Sequence, residues 1–212
     1  MANNPTWHIE DSHWKAAQIL KMMQRNGLRP RTVCEVGCGA GEILRQLQLS
    51  MATDCLFSGY EISPQAFDLC RQRANERLQF KLMHLEAEKD VFFDVILLID
   101  LIEHLEDYYT FLRQLRSKSA YKILHVPLDM SVQMVVRRVP ILTVRKSVGH
   151  VHYFMKDIIL SILEDTGYKV IDYFYTAESL DLPPRSLKVR IARIPRKILF
   201  AINKDITVRT LG

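Results

Sequence analysis

The sequence is short of the residues that break regular structure: in 212 positions it has eight glycines and eight prolines, which excludes collagen-like and proline-rich low-complexity classes. It also lacks long hydrophobic runs. Stretches such as 95–99 are bounded by acids and fall far short of the roughly 20 residues of a membrane span, so no transmembrane helix is expected. Met1-Ala2-Asn3-Asn4-Pro5 is not a basic region leading into an apolar one, so nothing marks the chain for secretion and a cytoplasmic location is expected. The four cysteines, Cys34, Cys38, Cys55 and Cys70, lack the paired short spacings of a zinc site and lie in or beside apolar segments, which predicts reduced thiols.

What is present suits one globular domain over 1–212, with 48% hydrophobic and 25% charged residues. The net charge of +5 is uneven. Residues 185–209 hold eight Lys and Arg against Asp205 alone, leaving 21 basic and 23 acidic residues elsewhere. Nucleic acid is therefore not the expected partner, because no generally basic surface is described.

From residue 31, short apolar runs alternate with helical periodicity, the pattern of a parallel sheet with crossover helices. Strands are predicted at 32–36, 55–60, 79–84, 95–99 and 121–126. Their nearly continuous apolar character suits strands covered by helices on both faces, so the fold class is α/β: a doubly wound, mostly parallel Rossmann-like sheet. A leading helix is predicted at 14–25, a helix capped by Ser63 from 64 to about 77, one capped by Asp107, and one at 156–166 ended by Gly167. Residues 168–176 read as a further strand. Residues 128–153 interrupt the rhythm as a lid-like insertion.

The most informative stretch is Glu35-Val36-Gly37-Cys38-Gly39-Ala40-Gly41-Glu42, at the end of the first strand and opening into a helix. Glycines there permit a tight turn and close approach of a nucleotide-like ligand to the backbone. Glu61 follows at the end of the second strand, about 20 residues on, where such folds place an acid for ribose hydroxyls. A nicotinamide dehydrogenase would place its third glycine one residue later, where this chain has Glu42, an acid that would meet the phosphates.

Together with Phe93-Asp94-Val95-Ile96-Leu97 and Leu101-Ile102-Glu103-His104-Leu105, these segments resemble class I S-adenosylmethionine-dependent methyltransferases. The chain is most similar to the branch that includes ubiquinone-biosynthesis O-methyltransferases, a resemblance extended by Gly149-His150-Val151-His152-Tyr153-Phe154 and residues 162–170. It implies S-adenosyl-L-methionine as cofactor. Glu35, Gly37, Gly39 and Gly41 would hold its methionine part, Glu61 its ribose, and Glu86 and Ala87 its adenine edge, with Cys38 and Ile62 also among the cofactor-binding residues. Asp100 and Leu101 would lie beside the methyl group. The chain departs from the branch at Leu85, often glycine, and at Glu86, usually Asp. It ends at Leu211-Gly212, which leaves room for the family's final strand only if 206–210 forms it.

In-line transfer from a sulfonium depends chiefly on placement, and a base is needed when the acceptor is a hydroxyl. His104 is the first candidate, because imidazole titrates near neutral pH, and His150 and His152 are the second candidates. No metal is expected, since the acids at 100, 103, 106 and 107 read as orienting a helix start. The expected acceptor is a small molecule, a lipid precursor or a sugar. Residues 128–153 offer Met130, Val132, Met134 and Val135 as an apolar wall beside Arg137, Arg138, Arg145 and Lys146, which suits an amphiphilic acceptor. The basic 185–209 segment suits peripheral contact with an anionic membrane surface or an anionic substrate rim, and equally a solvated face of a packed terminal element. The alternatives are an RNA methyltransferase and a binding protein that keeps the fold without activity.

Overall fold

The computed structural model describes Trp7, residues 9–183 and residues 187–212, with the backbone alone at 187–189 and 192. Five parallel strands form one sheet: β1 (Thr32–Val36), β2 (Leu56–Glu61), β3 (Leu78–Leu82), β4 (Phe93–Ile99) and β5 (Ser119–His125), in the order β3-β2-β1-β4-β5. Each predicted strand is present to within two residues at its start and end. The order reverses between β1 and β4, so a crevice opens at their carboxyl ends, where ligands of such sheets bind. A reciprocal clamp fixes the register of these two strands. The Asp94 carboxylate accepts the Arg31 and Thr32 N–H groups, and Thr32 Oγ1 accepts the Asp94 N–H.

Both faces of the sheet are covered. Because side chains alternate along a strand, Val33, Val95 and Leu97 pack with Ile19, Leu44 and Leu47 on one face. Cys34, Ile96 and Leu98 pack with Leu112, Leu115 and Ile162 on the other. The covering helices are α1 (Ser12–Arg25), α2 (Glu42–Ser50), α3 (Pro64–Cys70) and α4 (Tyr108–Leu115). Ser63 and Asp107 cap the last two as their sequences predict. All four cysteines are free and buried.

Past β5 the chain forms two short helices without a buried residue, α5 (Val132–Arg137) and α6 (Val139–Ser147), and then α7 (Lys156–Asp165). After α8 (Glu178–Asp181) come α9 (Leu187–Ile202) and α10 (Lys204–Leu211), and α10 packs on both α9 and α5. Among the described residues no helix is long and apolar enough to cross a membrane.

Three expectations need correction. The helix from residue 64 stops at Cys70 and continues as a 3-10 turn, Arg71–Arg73, because Ala74 turns extended and the Arg73 guanidinium is drawn to Glu42. Residues 168–176 are extended, with alternating exposure, but join no strand among the described residues. Their side chains are taken by helices instead: Asp172 by Arg25, Phe174 by Lys21, and Tyr175 by Asp205. Residues 206–210 lie in α10, capped by Asn203, so they form no final strand.

Candidate active site

Beyond β1 the chain turns through Gly37–Gly41 into α2. Gly37 and Cys38 donate their N–H groups to the Tyr60 carbonyl at 2.8 and 3.1 Å, tying the turn to β2. Gly39 and Gly41 have φ of +53° and +74°, the left-handed region that glycine tolerates. At Gly41 a Cβ would stand 2.5 Å from the Phe80 ring, so packing also requires glycine. At Gly39 the nearest atom would be Trp7 Cβ, 3.8 Å away, an ordinary contact, so backbone conformation alone calls for glycine there.

Glu61 is buried at the end of β2. One carboxylate oxygen accepts the Gly39 N–H and the other those of Ile62 and Ser63, each at 2.8 Å. A carboxylate offers about four lone-pair positions, so one remains for a ligand hydroxyl, and a second hydroxyl requires the Gly39 N–H to give way. Glu42, first residue of α2, is equally fixed. Burial opposes its charge, but hydrogen bonds from Arg45, Gln46 and Arg73 bring its carboxyl down to about 2. Its side chain stands where a dehydrogenase would have its third glycine, which argues against that reading.

Across the crevice, Leu101 Cδ1 stands 2.8 Å from where a Gly37 Cβ would be. A cavity of about 290 Å³ opens here, with Gly37, Ile62, Glu86 and Leu101 in its lining. Four of the residues expected to hold a cofactor thus line one cavity, whereas Gly39, Gly41, Glu61 and Asp100 are not in its lining. Ala87 is exposed and outside the lining, while Glu35 and Cys38 are buried under the turn. Glu35 Oε2 and Glu86 Oε2 are buried without a hydrogen-bond partner among the described residues. Burial pushes the Glu35 carboxyl well above the usual carboxylate range. Unpartnered polar atoms in a cavity wall and under a glycine turn suit an amino-bearing ligand.

Asp100, with φ of +47°, holds a network that the sequence did not announce. Its carboxylate meets Lys15 Nζ at 2.7 Å and His125 Nδ1 at 2.5 Å, and Lys15 also meets Asp11 at 2.9 Å. Burial works against both charges. Even so, His125 and Lys15 keep Asp100 well below the usual carboxylate range, and Asp100 and Asp11 keep Lys15 above the usual amine range. Lys15 was detectable, because it falls on the buried stripe of α1 with Ser12, Ala16, Ile19 and Met23. His125, another residue at a strand end, carried no such mark.

His104 and His150 come together as expected, with ring centroids 4.9 Å apart. His104 Nδ1 donates to the Gly149 carbonyl at 3.2 Å, and His150 Nδ1 donates to Asp129 Oδ2 at 2.7 Å. A carbonyl and a carboxylate can only accept, so each ring donates from Nδ1. Glu103 is fully buried beneath them, its Oε1 4.0 Å from His150 Nε2. Burial, with the Asp100 charge adding to it, pushes its carboxyl up to about 8. One ligand atom each from Glu103, His104 and His150 lie within 4.8 Å of one another, a spacing that a cation can use. Of the other grouped acids, Asp107 caps α4 and Asp100 is held as described.

The chain belongs to the Methyltransferase domain family, whose profile matches residues 7–173. No curated protein sequence matches it. Among solved structures it is similar to magnesium protoporphyrin IX methyltransferase from Synechocystis PCC 6803 with bound S-adenosylhomocysteine. The identity there is 20% over 79% of this chain and 78% of that one, with a TM-score of 0.59. It is likewise similar to N-methyltransferase NodS from Bradyrhizobium japonicum WM9 in complex with S-adenosylhomocysteine, at 17% identity over 77% and 80% of the two chains and a TM-score of 0.54.

Proposed function

We propose that this chain binds S-adenosylmethionine and transfers its methyl group in line to a small-molecule, lipid-precursor or sugar acceptor, as the O-methyltransferase branch it resembles would. The observation that carries the reading is the Gly37–Gly41 turn fastened to Glu61 through Gly39, beside the cavity that Gly37, Ile62, Glu86 and Leu101 share. The residues present fit the cofactor. Glu35 beneath the turn suits the methionine amino group, the remaining lone pair of Glu61 suits a ribose hydroxyl, and Glu86 suits the adenine amino group. When bound, the cofactor supplies an activated methyl group. The two structural neighbours described above hold its demethylated product.

The protein supplies placement and a base. Asp100, fixed by Lys15 and His125, and Leu101 mark where the crevice meets the acceptor side. His150 takes the acceptor proton at Nε2, and Asp129 holds the ring and stabilises the imidazolium that results. His104, the first candidate in the sequence, lies edge-on to His150 but meets a backbone carbonyl where His150 meets a carboxylate, so it becomes the alternative. No metal is part of this reading.

Calorimetry with S-adenosylmethionine, followed by an acceptor screen with labelled cofactor, tests the proposal, and absence of cofactor binding rejects it. His150→Ala should lower transfer by about 10²–10⁴-fold, the range for general acid–base catalysis, without altering cofactor affinity. Loss of transfer in chelator, restored by a divalent cation, would instead assign Glu103, His104 and His150 to a metal.

A further inference from the structure

A second cavity, of about 390 Å³, lies on the other side of Asp100. Its walls come from α1, from the end of β5 and the run into Asp129, from residues 174–180, and from α9 and α10. The two linings share no residue, but both include neighbours of Asp100. Leu101 lines the first, whereas Lys15 and His125, the partners of Asp100, line the second. Asp129, which holds His150, also lines the second. Neither His150 nor His104 lines it, so Asp129 is its link to the proposed base.

The lining states the chemistry of the occupant. Trp14, Met22, Phe174 and Phe200 offer an apolar and aromatic enclosure. Arg196 faces the same space, half-buried, and its hydrogen bonds go to the Leu211 carbonyl and to Gln133 Oε1, both neutral. Arg25, Arg45, Arg73 and Arg209 each pair with an acid, whereas no acidic side chain pairs with Arg196 among the described residues. Burial lowers its pKa, and Asp129 and Glu178, which share the cavity lining, do not pair with it. A guanidinium has five donors in a planar fork, and a partly desolvated one without a counter-charge favours a carboxylate, sulfonate or phosphate.

We propose that this second cavity is the acceptor site, and that the acceptor is an apolar ring- or chain-bearing molecule with one anionic group received by Arg196. The assignment as acceptor rests on the methyltransferase reading; the ligand chemistry does not.

The test uses two fluorescent probes on the full chain: 8-anilinonaphthalene-1-sulfonate, aryl and anionic, and N-phenyl-1-naphthylamine, its neutral counterpart. Arg196→Gln should weaken the sulfonate about tenfold, the loss of one charge-assisted contact, and leave the neutral probe unchanged. Arg196→Lys should lose less. S-adenosylhomocysteine should displace neither probe. Equal sulfonate binding in Arg196→Gln, or displacement by S-adenosylhomocysteine, overturns the proposal. If Arg196→Gln loses both probes, Met22→Trp decides: it fills the cavity, and in a protein of native circular dichroism it must exclude both, retained binding overturning the site. Calorimetry with S-adenosylhomocysteine on the same sample separates the two readings. Arg196-dependent probe binding without S-adenosylhomocysteine binding rejects the methyltransferase reading and keeps the cavity. The converse keeps the methyltransferase reading and rejects the acceptor site.

Discussion

The Gly39 N–H donates to Glu61 Oε2 at 2.8 Å, so the glycine turn after β1 and the acid after β2 form one unit before any ligand arrives. The two residues lie 22 apart in sequence, and it is the parallel pairing of β1 with β2 that brings them together, Val36 standing beside Tyr60. Glu61 thus holds the loop and, in the proposed function, also meets the ligand.

Glu61→Ala should therefore weaken S-adenosylmethionine binding by about 10–100-fold, as expected for a lost hydrogen bond to a charged group at about 1.5–3 kcal/mol. It should also lower thermal stability without cofactor, because the N–H groups of Gly39, Ile62 and Ser63 lose their acceptor. Calorimetry and thermal melts measure the two effects separately. An unchanged affinity in a folded variant would remove Glu61 from the cofactor site, whatever happened to stability.

Glu103 makes stability depend on pH in a definite direction. Burial, with the Asp100 charge adding to it, raises its carboxyl from 4.5 to about 8 in the folded protein. Between those values the folded state holds a proton that the unfolded state has released. Its contribution is full below pH 4.5 and is lost as pH rises towards 8, at about 1.4 kcal/mol per pH unit. Urea melts at pH 5.5 and 8.5 should show Glu103→Gln gaining on the native sequence at the higher pH, by up to a few kcal/mol. A difference that does not vary with pH would mean that Glu103 is ionised in the fold.

How much of this was legible in the sequence follows from where each group gets its partner. Strands β1 to β5 announced themselves, because a strand buried on both faces must be apolar throughout, as Ile96-Leu97-Leu98 is. The glycine turn and Glu61 were legible because backbone geometry limits the residues there. The extended segment 168–176 was not, since its alternation comes from contacts with α1, α7 and α10 and not from a ladder. Asp129 and His125 escaped notice for a related reason. Each acquires its meaning from a residue more than 20 positions away, His150 and Asp100 respectively.

The basic segment 185–209 should bind anionic vesicles. Ile191, Ile194, Ile198 and Leu199 on α9 are exposed, as are Arg190 and Lys197, while Arg185 lies outside the described residues. Apolar side chains flanked by cations suit an anionic interface. Sedimentation with neutral and with phosphatidylglycerol vesicles at low salt should show binding to the second kind alone, weakened by added salt. Equal behaviour of the two would reject a membrane contact.

The helices α5 and α6 should act as a lid over the acceptor. They leave the sheet just past the end of β5, at the carboxyl edge where the crevice opens, and they expose Val132, Val135, Val136, Val139 and Leu142 without a buried residue of their own. A solvated excursion has no use for so much apolar surface, whereas a lid that closes on an apolar acceptor does. The base of the segment is firm: Met130 donates its N–H to the Phe154 carbonyl, and His150 is held by Asp129. Removing residues 130–145 leaves both histidines, the glycine turn and Glu61 in the chain. Transfer should then fall by 100-fold or more, on the order of the cost of losing acceptor placement, while S-adenosylmethionine affinity by calorimetry stays within about twofold. Full activity in the shortened chain would reject the lid, and joint loss of transfer and cofactor binding would show that these helices support the crevice itself.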